Sequence, residues 1–109
     1  MIQILIAAAI EAVPLLGEPL ARPEYPADIV AQREDDLRDA QIELERNPDS
    51  ADALIWVGRR LAYLGRYREA IDTFTEGIRR FPNDPRFLRH RGHRYISIRE
   101  LGRALRDLD

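Results

Sequence analysis

A regular recurrence of apolar and small residues constrains this chain more than any other feature of its sequence. The recurring pairs are Leu54 with Leu88, Gly58 with Gly92, Leu61 with Tyr95, Ala70 with Ala104, and Phe74 with Leu108. Traced backward at the same spacing, Pro82 maps onto Pro48 and Ile78 onto Leu44, so three segments share it. Self-similarity at a fixed period is typical of repeat proteins, in which each unit covers the apolar face of its neighbour. The chain is therefore predicted to be a short array of similar units.

The central unit has the pattern of two helices. Its first helix carries four apolar residues at helical spacing: Leu54, Val57, Leu61 and Leu64. Ser50 or Asp52 can cap this helix, and Gly65 can end it because glycine accepts the left-handed conformation. A second helix is predicted from about Tyr67 to Arg80, with Ala70, Ile71, Phe74 and Ile78 on one face. Pro82 then marks the boundary with the next unit.

This order of residues is similar to the signature of the tetratricopeptide repeat family, whose period is about 34 residues. The positions that carry the similarity are Leu54, Val57, Gly58, Leu61, Ala70, Phe74 and Pro82, then Leu88, Gly92, Tyr95, Ala104 and Leu108. The resemblance implies an all-α fold in which antiparallel helix pairs stack as a short right-handed α-solenoid. It places a capping helix at 28–46, one repeat at 51–84 and a truncated repeat at 85–109. Arg91 departs from the pattern at an apolar position, and Trp56 is expected to pack between helices.

The segment before the repeats has two interpretations. Residues 1–17 are almost wholly apolar, but they contain Glu11 and Pro14 and no basic residue. They make a poor signal peptide and too short a run for a membrane span, so we predict either a degenerate signal or a helix that packs on the repeats or on another copy. Residues 18–27 are predicted to be a proline-rich linker. Localisation stays open between cytoplasmic and exported.

Charge is distributed unevenly along the chain. Residues 1–54 contain 4 arginines and 12 acidic residues, whereas residues 55–109 contain 13 arginines and 7 acidic residues. An acidic first half and a basic second half favour attraction between the halves, between copies or toward an acidic partner. All 17 basic residues are arginine. Codon bias explains this preference, and so does a surface that binds carboxylate or phosphate groups with the planar guanidinium.

The arginines are densest between residues 86 and 95. The family resemblance implies that Asp52, Ile55, Arg59 and Tyr63 line a concave groove with Arg86, Arg89 and His93 of the next repeat. Like charges at helical spacing repel one another unless an anion neutralises them. We therefore expect an acidic protein or peptide to bind at Arg59, Tyr63, Arg86, Arg89 and His93. The alternative is a solvated arginine face that is partly paired with Glu34, Asp35, Asp36 and Asp39.

The residue types argue against an enzyme. The chain has no cysteine, and Ser50 and Ser97 lack a visible His–Asp frame. His90 and His93 lie close together in the sequence, but arginines flank them and repel a metal ion. No catalytic residue, cofactor or metal is predicted.

Two further functions of the surface remain as alternatives. The basic second half suits nucleic acid, but the chain is acidic overall and its arginines lack interleaved aromatic residues, so nucleic-acid binding is the less favoured hypothesis. Self-assembly is the other alternative, since no following repeat covers Leu101, Leu105 and Leu108.

Overall fold

Five consecutive helices make up residues 24–109 in the computed structural model. The structure describes residues 10–12, 20–21 and 24–109. The helices are α1 (Ala27–Arg46), α2 (Ala51–Tyr63), α3 (Tyr67–Arg80), α4 (Pro85–Ser97) and α5 (Leu101–Leu108). Each helix packs mainly on the next one along the chain, which is the arrangement of a helical repeat solenoid. The predicted all-α helical repeat fold is confirmed.

Polar side chains fix where the first helix of each repeat begins. The Ser50 hydroxyl accepts a hydrogen bond from the Ala53 amide at 3.1 Å, so Ser50 caps α2 and Asp52 does not. The Asp84 carboxylate accepts from the Arg86 amide at 3.0 Å at the start of α4, where Pro85 takes the first helical position. Both caps satisfy amides that would otherwise lack partners.

The same backbone motif ends both of these helices. Gly65 and Arg99, which occupy equivalent positions in the two repeats, have φ angles of 75° and 64°. The next amide folds back in each case, from Arg66 to the Leu61 carbonyl at 3.0 Å and from Glu100 to the Tyr95 carbonyl at 2.9 Å. Glycine adopts this left-handed conformation freely, whereas arginine does so at an energetic cost. The second repeat therefore keeps the turn without the glycine that favours it.

Close helix contacts at glycine also recur with the repeat. A Cβ atom added to Gly58 of α2 would lie 2.4 Å from the ring of Phe74 in α3, and one added to Gly92 would lie 2.7 Å from Leu108. Since Gly92 and Leu108 are the equivalents of Gly58 and Phe74, the two repeats use the same contact. Phe74 is 1% exposed, which puts this contact at the centre of the core.

The other repeat positions differ in burial between the two units. Seven of the positions that carry the family resemblance are buried apolar side chains: Leu54, Val57, Leu61, Ala70, Phe74, Tyr95 and Ala104. Pro82 lies in an exposed turn, and Leu88 and Leu108 are 37% and 42% exposed. Leu54 belongs to a core against which Ile78 and Phe81 pack, whereas its equivalent Leu88 is exposed.

A small antiparallel sheet precedes the helices. Strand β1 (Ile10–Ala12) pairs with β2 (Leu20–Ala21). The three residues of β1 are therefore not part of a packing helix. The rest of the 1–17 segment and most of the predicted 18–27 linker lie outside the described residues, so their roles remain predictions. Within the described part of the chain, no helix combines the length and apolar character needed to cross a bilayer.

The Gly58 contact makes a direct prediction about stability. We expect Gly58→Ala to lower the free energy of unfolding by about 1–3 kcal/mol, because the new methyl group would collide with the buried Phe74 ring. Gly102→Ala is the matched control, since no heavy atom lies within 4 Å of its added Cβ and alanine favours a helix by up to about 1 kcal/mol. Urea unfolding would measure both, and equal effects would contradict the proposed close approach.

The end of α4 makes a second prediction, of opposite sign. We expect Arg99→Gly to raise the free energy of unfolding by about 1 kcal/mol, because glycine removes the cost of the left-handed backbone. Arg103→Gly, inside α5, should instead lower the free energy of unfolding by about 1 kcal/mol. Thermal and urea unfolding would test the pair. Destabilisation by Arg99→Gly would show that the φ angle there costs little.

A candidate partner-binding groove

The sequence-predicted site residues lie on the first helices of the two repeats. Arg59 and Tyr63 are one turn apart on α2, and Arg86, Arg89 and His93 lie on α4. These five residues are called the arginine groove below. Arg89 and His93 are exposed, and Tyr63 is 36% exposed. Ile55, which was also predicted to line the groove, is 5% exposed and belongs to the core instead.

Two aromatic side chains of α2 hold Arg59 in place. Its Nη2 atom donates a hydrogen bond to the Tyr63 hydroxyl at 2.8 Å, and its guanidinium lies 4.2 Å from the centre of the Trp56 ring. The expectation that Trp56 packs between helices is wrong, since the side chain is 41% exposed. Arg60 also lies near this ring, at 4.9 Å. Trp56 thus serves as a surface for arginines, which stack well on indole.

Arg86 differs from the other groove arginines because its guanidinium already forms ion pairs with two carboxylates of the chain. Its guanidinium bonds to Asp84 at 2.8 Å and to Asp52 at 2.6 Å. Asp52 stands one repeat before Arg86, so this ion pair joins equivalent positions of adjacent repeats. The bond from Arg86 holds the pKa of Asp84 below its usual range, and Asp84 with Asp52 raises the pKa of Arg86. Arg86 acts first as a link between the repeats.

His90 lies among the basic side chains of α2 and α4. Its imidazole stacks on Phe74 of α3, with ring centres 5.3 Å apart. Burial lowers the pKa of His90, and the nearby charges of Arg59, Arg89, Arg94 and His93 lower it further. The five residues Arg59, Arg89, His90, His93 and Arg94 are called the cation cluster below.

Arg94, like His90, is a member of the cluster that was not among the predicted site residues. Burial lowers its pKa, and its buried Nε atom donates no hydrogen bond to any of the described residues. Its guanidinium lies 6.0 Å from the Tyr67 ring. A partly buried cation without a carboxylate is less well solvated than an exposed one, so an anion brought to it would gain more than one bound at an exposed arginine. Its place on the same helix face as His90 was the available signal in the sequence.

The acidic residues of α1 do not neutralise this cluster. Asp35 pairs with Arg38 on the same helix at 2.8 Å, and Asp36 lies 3.7 Å from Arg60. Among the described residues, no carboxylate lies within ion-pair distance of Arg59, Arg89 or Arg94. The pairing with Glu34, Asp35, Asp36 and Asp39 that the alternative interpretation expected is therefore absent at these three arginines, and a solvated arginine face stays the alternative to a binding site.

Metal ligands and nucleophiles are not gathered in the groove. In residues 24–109 no cluster of three or more His, Asp or Glu side chains is arranged to hold a metal ion. The Ser97 hydroxyl donates to the His93 carbonyl at 3.2 Å and thus bonds to the backbone. What the arrangement offers chemically is a set of hydrogen-bond donors and positive charges.

A comparison with protein families agrees with the internal repeat. The family model described as tetratricopeptide repeat matches residues 30–85 and again residues 58–108. The two matches overlap and together extend from α1 to α5. No curated protein matches the chain.

The position of His90 predicts a dependence of stability on pH. Because the fold lowers the pKa of His90, the unfolded chain binds a proton more readily than the folded chain below about pH 6.5. The stability that wild type has relative to His90→Gln should therefore shrink as pH falls from 7.5 to 5. Urea unfolding of both proteins at each pH would measure it. The other titrating groups largely cancel in this difference, and a difference that is constant with pH would contradict the prediction.

Proposed function

The chain belongs to the tetratricopeptide repeat family, whose domains generally mediate protein–protein interaction, and we propose that it is a scaffold that binds an acidic peptide or partner segment in the arginine groove. The observation that carries this proposal is the cation cluster without a carboxylate partner in the described residues. An incoming carboxylate would relieve repulsion among Arg59, Arg89 and Arg94 and form charge-assisted hydrogen bonds with their guanidinium groups.

The groove offers the two kinds of contact that a peptide needs. Arg89 and His93 are exposed on α4 and can take carboxylate groups. Tyr63 presents an exposed ring and hydroxyl beside Arg59 on α2, which suits contact with a peptide backbone or side chain. Arg86 takes part only if the incoming acid competes with Asp52 and Asp84, so we place it at the edge of the site.

We propose further that the protein is not catalytic and needs no cofactor. Proteins of this repeat family are typically scaffolds without catalytic activity. The histidines of α4 favour the same conclusion, because a general base needs a nucleophile or substrate proton within hydrogen-bond reach. Neither His90, stacked on Phe74, nor His93, on the surface, has such a side-chain neighbour among the described residues.

A second candidate function is self-assembly. Three leucines follow one stripe of α5 and are strongly exposed: Leu101 at 57%, Leu105 at 66% and Leu108 at 42%. Exposed apolar stripes of this kind favour a protein contact, and another copy carries an acidic α1 surface opposite in charge to α4 and α5. Light scattering at rising concentration would separate the candidates, since a monomer at high concentration is incompatible with self-assembly. Nucleic-acid binding is less favoured, because the chain carries a net charge of −2.

Charge reversal at Arg89 tests the acidic-partner proposal. We expect Arg89→Glu to weaken binding of a labelled glutamate-rich peptide about tenfold or more, because an acid would replace an unpaired, exposed donor. Arg79→Glu is the matched control, with the same change in charge at an exposed arginine of α3. Fluorescence anisotropy would measure affinity, and circular dichroism would check that both variants remain helical. Equal affinity of Arg89→Glu and Arg79→Glu would remove Arg89 from the site.

A further inference from the structure

A second concave site lies between α1 and α2 and meets the cation cluster at Trp56. It is a cavity of about 260 Å³. Its apolar surfaces come from Ala40, Ala53 and Trp56, and its charged surfaces from Asp36, Asp39, Glu43 and Arg60. The cavity with these walls is called the acidic pocket below. It is smaller than the cavities of about 300–1,000 Å³ that hold small-molecule ligands, so its size favours a single side chain.

The repeat explains why a cavity forms at this interface. One repeat after Ala40 and Ala53, the equivalent positions hold Phe74 and Phe87, at the interface of α3 with α4. These two phenyl rings are 1% and 0% exposed and fill the space there. Alanine at both equivalent positions removes both rings, and the space they would occupy borders Trp56. The acidic pocket is thus a consequence of two small residues at positions where the neighbouring interface has large ones.

The polar wall of the pocket favours a cation. Asp36, Asp39 and Glu43 project from α1 at helical spacing, and Arg60 is the one cation among the lining residues. Arg60 lies 3.7 Å from Asp36, while Glu43 accepts a hydrogen bond from Asn47 at 2.7 Å. Asp39 is exposed and has no hydrogen bond or ion pair within the described part of the chain. The three carboxylates and one guanidinium leave a formal charge of −2 on the lining.

Trp56 adds an aromatic wall to these carboxylates. Its ring is 41% exposed and already has two guanidinium groups near its centre, those of Arg59 at 4.2 Å and Arg60 at 4.9 Å. Indole is the aromatic group with the strongest attraction for such cations. Because Arg59 and Arg60 already lie near the ring, a cation from a partner would displace one of these guanidinium groups or contact the part of the ring that they leave exposed.

We propose that the acidic pocket binds an arginine or lysine side chain of a partner protein. The cation would lie against Trp56 with Asp39 and Glu43 as counter-charges, in a cavity of one side chain's size. This ligand is opposite in charge to the one proposed for the arginine groove. The two proposals can therefore fail independently.

Trp56 is also the natural reporter, since the chain has one tryptophan. The full chain would be titrated with a peptide whose only charged side chains are two arginines. The comparison peptide has citrulline in place of both arginines, because citrulline has the shape of arginine but no charge. We expect a saturable change in Trp56 emission with the arginine peptide and at least about tenfold weaker binding of the citrulline peptide. Equal binding of the two peptides, or none, would overturn the proposal.

Variants of the pocket provide the second arm of the test. Asp39→Asn with Glu43→Gln should weaken the arginine peptide about tenfold or more while circular dichroism stays helical. Ala40→Phe with Ala53→Phe should abolish binding by filling the cavity, and the amide variant remains informative if this one does not fold. Asp72→Asn, the same kind of change at an exposed acid of α3 outside the pocket, should leave the affinity unchanged. Unaltered affinity in the amide variant would overturn the proposal. A change of Trp56 emission with protein concentration alone would also overturn the proposal, because it would show that a second copy of the chain occupies the pocket.

Discussion

Gly58 lets two helices approach until the Phe74 ring lies against the backbone of α2, and the rest of the fold depends on this approach. A helix pair of this length cannot cover its apolar stripe alone, so it must stack on the next pair. Stacking sets the period of the sequence, because each contact must recur in the same register. Gly92 and Leu108 repeat the contact with a smaller side chain.

The second repeat keeps the geometry of the first while changing its chemistry. Arg91 stands at the position of the buried Val57, and its guanidinium forms a two-pronged pair with Asp107 at 2.7 and 2.8 Å. Only 7% of the Asp107 side chain is exposed, so polar pairing between α4 and α5 replaces an apolar contact. This pair makes the second repeat the less apolar of the two, and the left-handed turn at Arg99 adds backbone strain to it.

Periodicity predicts those features that each repeat must share, and it predicts little of what differs between repeats. The helices, the turn at Gly65 and the close approach at Gly58 follow from spacing and residue type. The double pairing of Arg86 depends on two carboxylates that only the folded chain brings together. The acidic pocket forms because Ala40 and Ala53 are much smaller than their equivalents Phe74 and Phe87. Small residues at two positions are not a motif, so the sequence pattern does not predict the pocket. Burial of Arg94 likewise depends on tertiary contacts.

The uneven charge of the chain takes on a physical meaning in a linear stack of helices. Because α1 packs mainly on α2, its carboxylates reach Arg60 and not the arginines of α4. An array whose units contact their neighbours lets some charges pair between the acidic and basic halves, such as Asp36 with Arg60 and Asp52 with Arg86, but leaves Arg59, Arg89 and Arg94 without a carboxylate among the described residues. Opposite charges therefore remain on two surfaces that meet near Trp56, with Arg59 on one side and Arg60 on the other. A partner segment that carries both an acidic and a basic residue would satisfy the charges on both surfaces that the ion pairs within the chain leave unpaired.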